Sequence, residues 1–181
     1  MHTEERRQRL LEWLENAQGP LTGTALAREF QVSRQIIVGD ISIIRAMGRT
    51  VYATPRGYLM PSETTQPQGV MATLVCRHQA EDMQRELEII VDHGAHVQDV
   101  IVEHPLYGEI RADLMLQSRR DVEAFVQHMQ GCQAMPLSLI TDGVHLHTIE
   151  APDKTALQEI RTALRAAGIL YEENGRVFHS K

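Results

Sequence analysis

In the segment Gly143-Val144-His145-Leu146-His147-Thr148 two histidines stand one residue apart among strand-forming neighbours. Side chains alternate along a strand, so both imidazoles project from one face. That pair is a bidentate start for a transition metal. Two ligands rarely complete a site, and two further candidates lie earlier in the chain: His78, which ends the apolar run MATLVCRH, and Glu86, in the helical stretch that follows. Glu86 follows Met83 by three and precedes Ile90 by four, so it borders that helix's apolar stripe and can point over a sheet edge toward His78. A site of His78, Glu86, His145 and His147 has the borderline nitrogen and oxygen character that suits zinc, nickel, iron or manganese, and ligand type alone selects none of them. An open coordination position would admit a small anionic molecule. Other readings stay open. A His-x-His pair fits two surface histidines equally well, and His93, His96, His104, His128 and His179 read as surface or packing residues. Cys76 could share the strand face of His78 and replace one ligand, although a buried thiol is the commoner state.

A second constellation, Ser33-Arg34-Gln35, opens a helix near the N-terminus. Arg and Gln at the start of a helix can meet guanine and adenine edges in a major groove, and a Ser hydroxyl can cap the helix or donate to phosphate. The elements around it have helix-turn-helix grammar. Residues 5–18 carry Leu10, Leu11, Trp13 and Leu14 in helical spacing up to the stop Gly19-Pro20. Thr22 caps a short helix over 23–30, with Leu21 and Leu26 as its hydrophobic staple. Ser33 caps a third helix running to about Met47, in which Ile37, Ile41 and Ile44 share one face and leave Arg34, Gln35 and Arg45 outside. Gly39 within it is expected to relieve close helix packing. TVYAT, the turn Pro55-Arg56-Gly57 and YLM then read as a β-hairpin whose cationic tip, Arg56, can reach a nucleic-acid backbone or minor groove. Three helices and a hairpin make a winged helix-turn-helix. The competing reading is a protein-binding winged helix with Arg34 and Gln35 merely solvated.

The net charge of −6 divides unevenly: residues 1–60 sum to +2 and the remainder to −8. The N-terminal part is therefore permissive of DNA and the rest repels it. The chain start is amphipathic, without an apolar signal core, and the apolar runs are too short to span a bilayer. Two irregularly placed cysteines, Cys76 and Cys132, fit a reducing compartment rather than a disulfide framework. A cytoplasmic protein with no membrane association is expected.

PSETTQPQG, residues 61–69, has no hydrophobic period and reads as a linker between a domain over 1–60 and another over 70–181. Beyond it the sequence predicts a strand (MATLVCRH), a helix (EDMQRELEIIVDH) and two strands meeting at Pro105-Leu106-Tyr107-Gly108. A helix capped by Ser118, further strand over LSLITDGVHLHTIE, a helix ended by Gly168 and a short C-terminal hairpin follow. The order β-α-β-β-α-β suggests a ferredoxin-like split unit with extensions. The fold class is α+β, a winged helix-turn-helix followed by an α/β sandwich-like sensor domain.

QVSRQIIVGDISIIRAMG with its following wing, VEHPLYGEI and LSLITDGVHLHTIEA together resemble the NiaR family of niacin-responsive repressors, over nearly the whole chain. The resemblance implies a helix-turn-helix followed by a 3H domain that binds nicotinic acid and contains a divalent metal, with His78, Glu86, His145 and His147 as its ligands. It further implies nicotinic acid as corepressor for genes of NAD synthesis or niacin uptake. Arg77 and Tyr107 are candidate polar neighbours of the effector. Two recognition helices reading half-sites require a two-fold arrangement, hence a homodimer on operator DNA. The alternatives are a metalloregulator that senses the metal itself, and a metal-dependent hydrolase with Glu103 or Glu109 as base. The second lacks a convincing base near a substrate loop, so no enzyme is expected.

Overall fold

The computed structural model describes residues 2–61 and 68–171. The chain divides into two compact units between Gln66 and Pro67. Most of the expected 61–69 linker, His179 and the expected C-terminal hairpin lie outside the described residues.

In the first unit α1 spans Thr3–Asn16, α2 Gly23–Glu29 and α3 Arg34–Ala46. The first helix begins two residues earlier than its apolar spacing predicts, with Glu4 and Glu5 in a first turn where acidic side chains suit the helix dipole. Both expected caps form: Thr22 Oγ1 accepts from Ala25 N at 3.1 Å and Ser33 Oγ from Ile36 N at 3.3 Å. Leu10, Leu14, Leu26, Ile37, Ile41 and Ile44 are sealed together with Phe30 and Val51. The wing pairs β1 (Tyr52–Thr54) with β2 (Gly57–Leu59), and Leu21 adds a third rung by exchanging backbone hydrogen bonds of 2.9 and 2.8 Å with Tyr58.

One charge sits in this core. Asp40 of α3 is 3% exposed and takes Arg6 Nε at 2.7 Å and Arg7 Nε at 3.0 Å, both from α1. These charge-assisted bonds fix the azimuth of α3 against α1.

The second unit has the strands β3 (Val70–Arg77), β4 (His96–His104), β5 (Gly108–Leu116) and β6 (Val144–Ala151), and the helices α4 (Met83–Asp92), α5 (Arg119–Gly131) and α6 (Lys154–Ala166). The sheet order is β3-β6-β4-β5 with every pair antiparallel. The last strand thus separates β3 from β4, and β4 separates β6 from β5, so two split β-α-β units interlock. The helices cover the face carrying Leu74, Val97, Leu116 and Ile149, contributing Leu87 and Ile90 from α4, Val122 from α5, and Ile160 and Leu164 from α6. Ile169–Tyr171 runs along the outer edge of β3, with Arg77 N donating to Ile169 O at 2.8 Å and Tyr171 N to Val75 O at 2.9 Å, which closes a free strand edge.

LSLIT does not extend the strand. Leu137–Thr141 is a 3₁₀ turn after Pro136, and β6 starts only at Val144. Asp142 (φ 52°) and Gly143 (φ 85°) turn the chain between them, and Thr141 Oγ1 donates to the carbonyls of Ser138 and Val144. Apolar content alone does not separate a buried short helix from a strand.

Candidate functional site

His145 and His147 project from the covered face of β6, and β3 lies alongside with Cys76 opposite His145. His78 follows the end of β3, and α4 brings Glu86 over all three rings. Glu86 is 0% exposed, well inside the border position its spacing predicts. Its Oε2 lies 2.7 Å from His78 Nε2, 3.1 Å from His145 Nε2 and 3.4 Å from His147 Nε2. The donor atoms of His78, Glu86 and His145 fall within 4.8 Å of one another, so these three residues could hold a metal ion.

The opposite ring nitrogens decide the chemistry. His78 Nδ1 is 2.7 Å from the Gln79 carbonyl, His145 Nδ1 2.9 Å from the Gly143 carbonyl, and His147 Nδ1 2.6 Å from the Asp99 carbonyl. A carbonyl only accepts, so each Nδ1 carries a proton and each neutral ring turns the lone pair of Nε2 inward. Three lone pairs and a carboxylate at these distances repel unless a cation sits among them, either protons on the rings or a bound metal. The residues present therefore fit a divalent metal: a set of nitrogen and oxygen donors with tautomers already selected from behind.

Electrostatics follow the same logic. Burial alone would raise the Glu86 carboxyl, yet the His147 charge and hydrogen bonds from the three rings hold it well below the usual carboxylate range. Burial opposes charge on His78 and His147, but Glu86 outweighs it and both rings bind protons more readily than ordinary imidazoles. Cys76 is buried, and burial together with the Glu86 charge pushes its thiol well up, so in this arrangement it is a neutral thiol.

Two backbone features position the rings without any sequence motif announcing them. The Gly143 carbonyl also accepts from His78 N at 3.3 Å, and a Cβ at Gly143 would run into the His78 carbonyl. Only glycine allows β6 to start there. A bulge in β4 turns the Asp99 carbonyl toward His147, and the Asp99 carboxylate is held by Thr148 N at 2.9 Å and Arg111 Nη1 at 2.5 Å.

Beside the cluster is a cavity of about 40 Å³. The four polar residues form one wall, and Met83, Leu114, Phe125, Met129, Leu137 and Ser138 contribute to the rest. Phe125 and Met129 reach it from α5. Arg77 and Tyr107 do not line it. Arg77 lies on the other face of β3 from Cys76, with its guanidinium 6.0 Å from the Tyr171 ring centroid. Tyr107 is exposed at the β4–β5 turn, stacked on His104, whose Nδ1 accepts from the backbone of Leu106 and Tyr107. Glu103 and Glu109 are exposed near that turn and do not line the cavity.

In the first unit Ser33, Arg34 and Gln35 are exposed at the opening turn of α3, and Arg56 is half-buried in the wing turn. Arg45 is otherwise engaged. Its Nε and Nη2 both donate to the Val51 carbonyl, at 2.8 and 2.6 Å, tying the last turn of α3 to the wing. Gly39 is exposed, and a Cβ there would meet nothing within 4 Å, so it relieves no packing inside the protein.

Residues 6–59 match the model of an HTH domain and residues 71–173 that of the 3H domain. The fold and these matches define a two-domain DNA-binding regulator. The chain is 41% identical, over 93% of its length and 94% of the relative's, to the transcription repressor NadR of Bacillus subtilis. It is also 41% identical to the probable transcription repressor NiaR of Thermotoga maritima, over 94% of this chain and 95% of that one. An uncharacterized protein of Methanothermus fervidus is 26% identical over 58% of this chain and only 18% of its own length. The chain belongs to the NadR/NiaR family of transcription repressors, and its full-length relatives are repressors rather than enzymes. Among the described residues no helix is long and apolar enough to cross a membrane.

Proposed function

We propose that this repressor senses nicotinic acid through a divalent transition metal held by His78, Glu86, His145 and His147, and that the liganded form binds the operators of NAD-synthesis or niacin-uptake genes. Residues 1–60 are the DNA-binding domain, 61–69 the linker and 70–181 the sensor. The protein works in the cytoplasm as a homodimer whose two α3 helices read two half-sites. The observation that carries the sensor reading is the inward convergence of three Nε2 atoms, their tautomers set by backbone carbonyls, onto a buried carboxylate beside a cavity.

A bound metal would supply a Lewis-acid position for an anionic donor. The chain supplies the rest: the Nδ1 hydrogen bonds hold the rings in place, and Phe125, Met129 and Leu137 offer apolar surface to an aromatic ring. A cavity of about 40 Å³ takes little more than one water-sized group, so an aromatic acid enters only if α5 or the 3₁₀ turn over 137–141 yields. That displacement is how binding would favour one protein state over another, since a ligand with equal affinity for both shifts nothing.

Calorimetric titration of the metal-loaded chain with nicotinic acid, with nicotinamide and a His145→Ala/His147→Ala variant as controls, tests the reading. Selective binding that vanishes in the folded double variant is the expected result; no binding to verified metal-loaded protein rejects the effector. The small cavity favours a second reading, in which the metal itself is the signal. It takes precedence if metal alone changes operator affinity.

A further inference from the structure

We infer that Gly39, flanked by Ile36 and Ile43, is the close-approach point of the DNA-reading face of α3, and that the two isoleucines read thymine methyl groups. Glycine in a helix interior weakens the helix relative to alanine. Packing usually explains such a residue. Here it does not, because a Cβ at Gly39 meets nothing within 4 Å.

The helix geometry places the glycine. Ile37, Ile41 and Ile44 face the core, and at about 100° per residue Gly39 stands on the opposite side. Gln35 and Ser42 flank it on one side, and Ile36 and Ile43, 42% and 39% exposed, flank it on the other. Asp40, clamped by Arg6 and Arg7, holds this orientation. Two exposed isoleucines around a bare backbone suit a surface that comes within van der Waals distance and carries apolar points.

The helix opens with Ser33, Arg34 and Gln35, the turn that an HTH domain presents to the major groove, and of these Gln35 lies on the Gly39 face. Its occupant is therefore duplex DNA, and the one apolar group on a major-groove edge is the thymine methyl. The isoleucines would sense that methyl, while the absent Cβ lets the helix axis sit deeper between the strands. This inference rests on operator binding by the HTH domain.

The test begins by selecting duplexes from a random pool with the full-length wild-type chain, in the presence of a divalent metal and nicotinic acid and in their absence. Gly39→Ala is then measured on the enriched duplex. It should melt no lower than wild type, because nothing in the fold clashes with the methyl, yet bind about tenfold more weakly. Replacing each thymine by uracil, which removes the methyl alone, should reveal positions where wild type loses about fourfold and where Ile36→Ala or Ile43→Ala loses nothing further. Operator affinity within twofold for Gly39→Ala, or a lowered melting temperature, overturns the inference, as does the absence of such a uracil position. An unchanged operator affinity with altered self-association would reassign the face to a second copy of the chain. If wild type enriches no duplex, operator binding itself fails, and that outcome is separate from the others.

Discussion

Asp40 in the first unit and Glu86 in the second are carboxylates buried beneath basic groups, and the two are completed in different ways. Asp40 is met by two guanidiniums that stay charged at any pH the cell visits, so the first unit contains everything its buried charge requires. Glu86 is met by three imidazoles whose Nδ1 protons are already given to backbone carbonyls, so its counter-charge must come from outside, as protons or as a metal. An arginine-satisfied carboxylate locks a helix; a histidine-satisfied one makes an unfinished site. The difference also separates where function lies. The candidate DNA-reading residues sit on the surface of a self-sufficient core, while the candidate metal ligands are part of the core itself.

Replacing Glu86 should break this contrast most sharply. Glu86→Ala leaves three lone pairs facing an empty space, and metal affinity should fall by at least about 100-fold, read by equilibrium dialysis against a competing chelator. The stabilisation that saturating metal gives the wild type, about 3–4 kcal/mol at 100 to 1,000 times Kd, should disappear from the second unit's melting transition. A variant that retains wild-type affinity would remove Glu86 from the site.

Asp40→Ala should act on the first unit alone. It strands Arg6 and Arg7 against the core, and since both guanidiniums keep some solvent contact the loss should be about 2–3 kcal/mol, below the full value for a buried pair. Chemical denaturation followed by Trp13 fluorescence reports it, and metal affinity should be untouched. A loss of metal binding would show that the buried charges are coupled rather than independent.

Arg34→Ala should do the converse: weaken operator binding by about 1–3 kcal/mol, with relaxed preference at one base pair and no change in melting temperature. Arg45→Ala is the control. Its guanidinium holds the Val51 carbonyl, so its effect should be on stability rather than on base preference.

The uneven legibility of the two units has the same origin. Caps and staples are local, so Thr22, Ser33 and the Ile37-Ile41-Ile44 stripe could be read directly from the chain. The His-x-His pair was legible through strand alternation, and His78 and Glu86 through their placement near the sheet edge. What could not be read depends on distant backbone. The Gly143 and Asp99 carbonyls select ring tautomers through a turn and a bulge whose register only the assembled sheet defines. Asp40 looks like any helical acid until α1 supplies its arginines. Gly39 reads as a packing glycine until the space around it is known to be open. Arg77 and Tyr107 have suitable chemistry but point elsewhere, because a strand's alternate face and a hairpin tip are not at the cavity.

The smallest effect, and the one that separates protons from metal, is on pH. In the metal-free protein His78 and His147 have pKa values raised above the ordinary imidazole value of about 6.5. Their contribution to stability is complete below that value and is lost as pH rises through the folded-state values. Glu86 is shifted the other way, so its contribution is present above the ordinary carboxylate value of about 4.3 and is lost only as pH falls through its lowered one. Metal-free protein should therefore be most stable at about pH 5–6 and lose melting temperature toward pH 8.5. Bound metal competes with the ring protons, so the metal-loaded protein should gain over the same interval. The Asp40 pair contains no imidazole, and the first unit's transition should not follow either curve. Melting curves recorded with metal and with chelator across this range should therefore diverge in the second unit alone. A metal-free transition that stays flat or rises with pH would show that Nε2 protons do not complete the site.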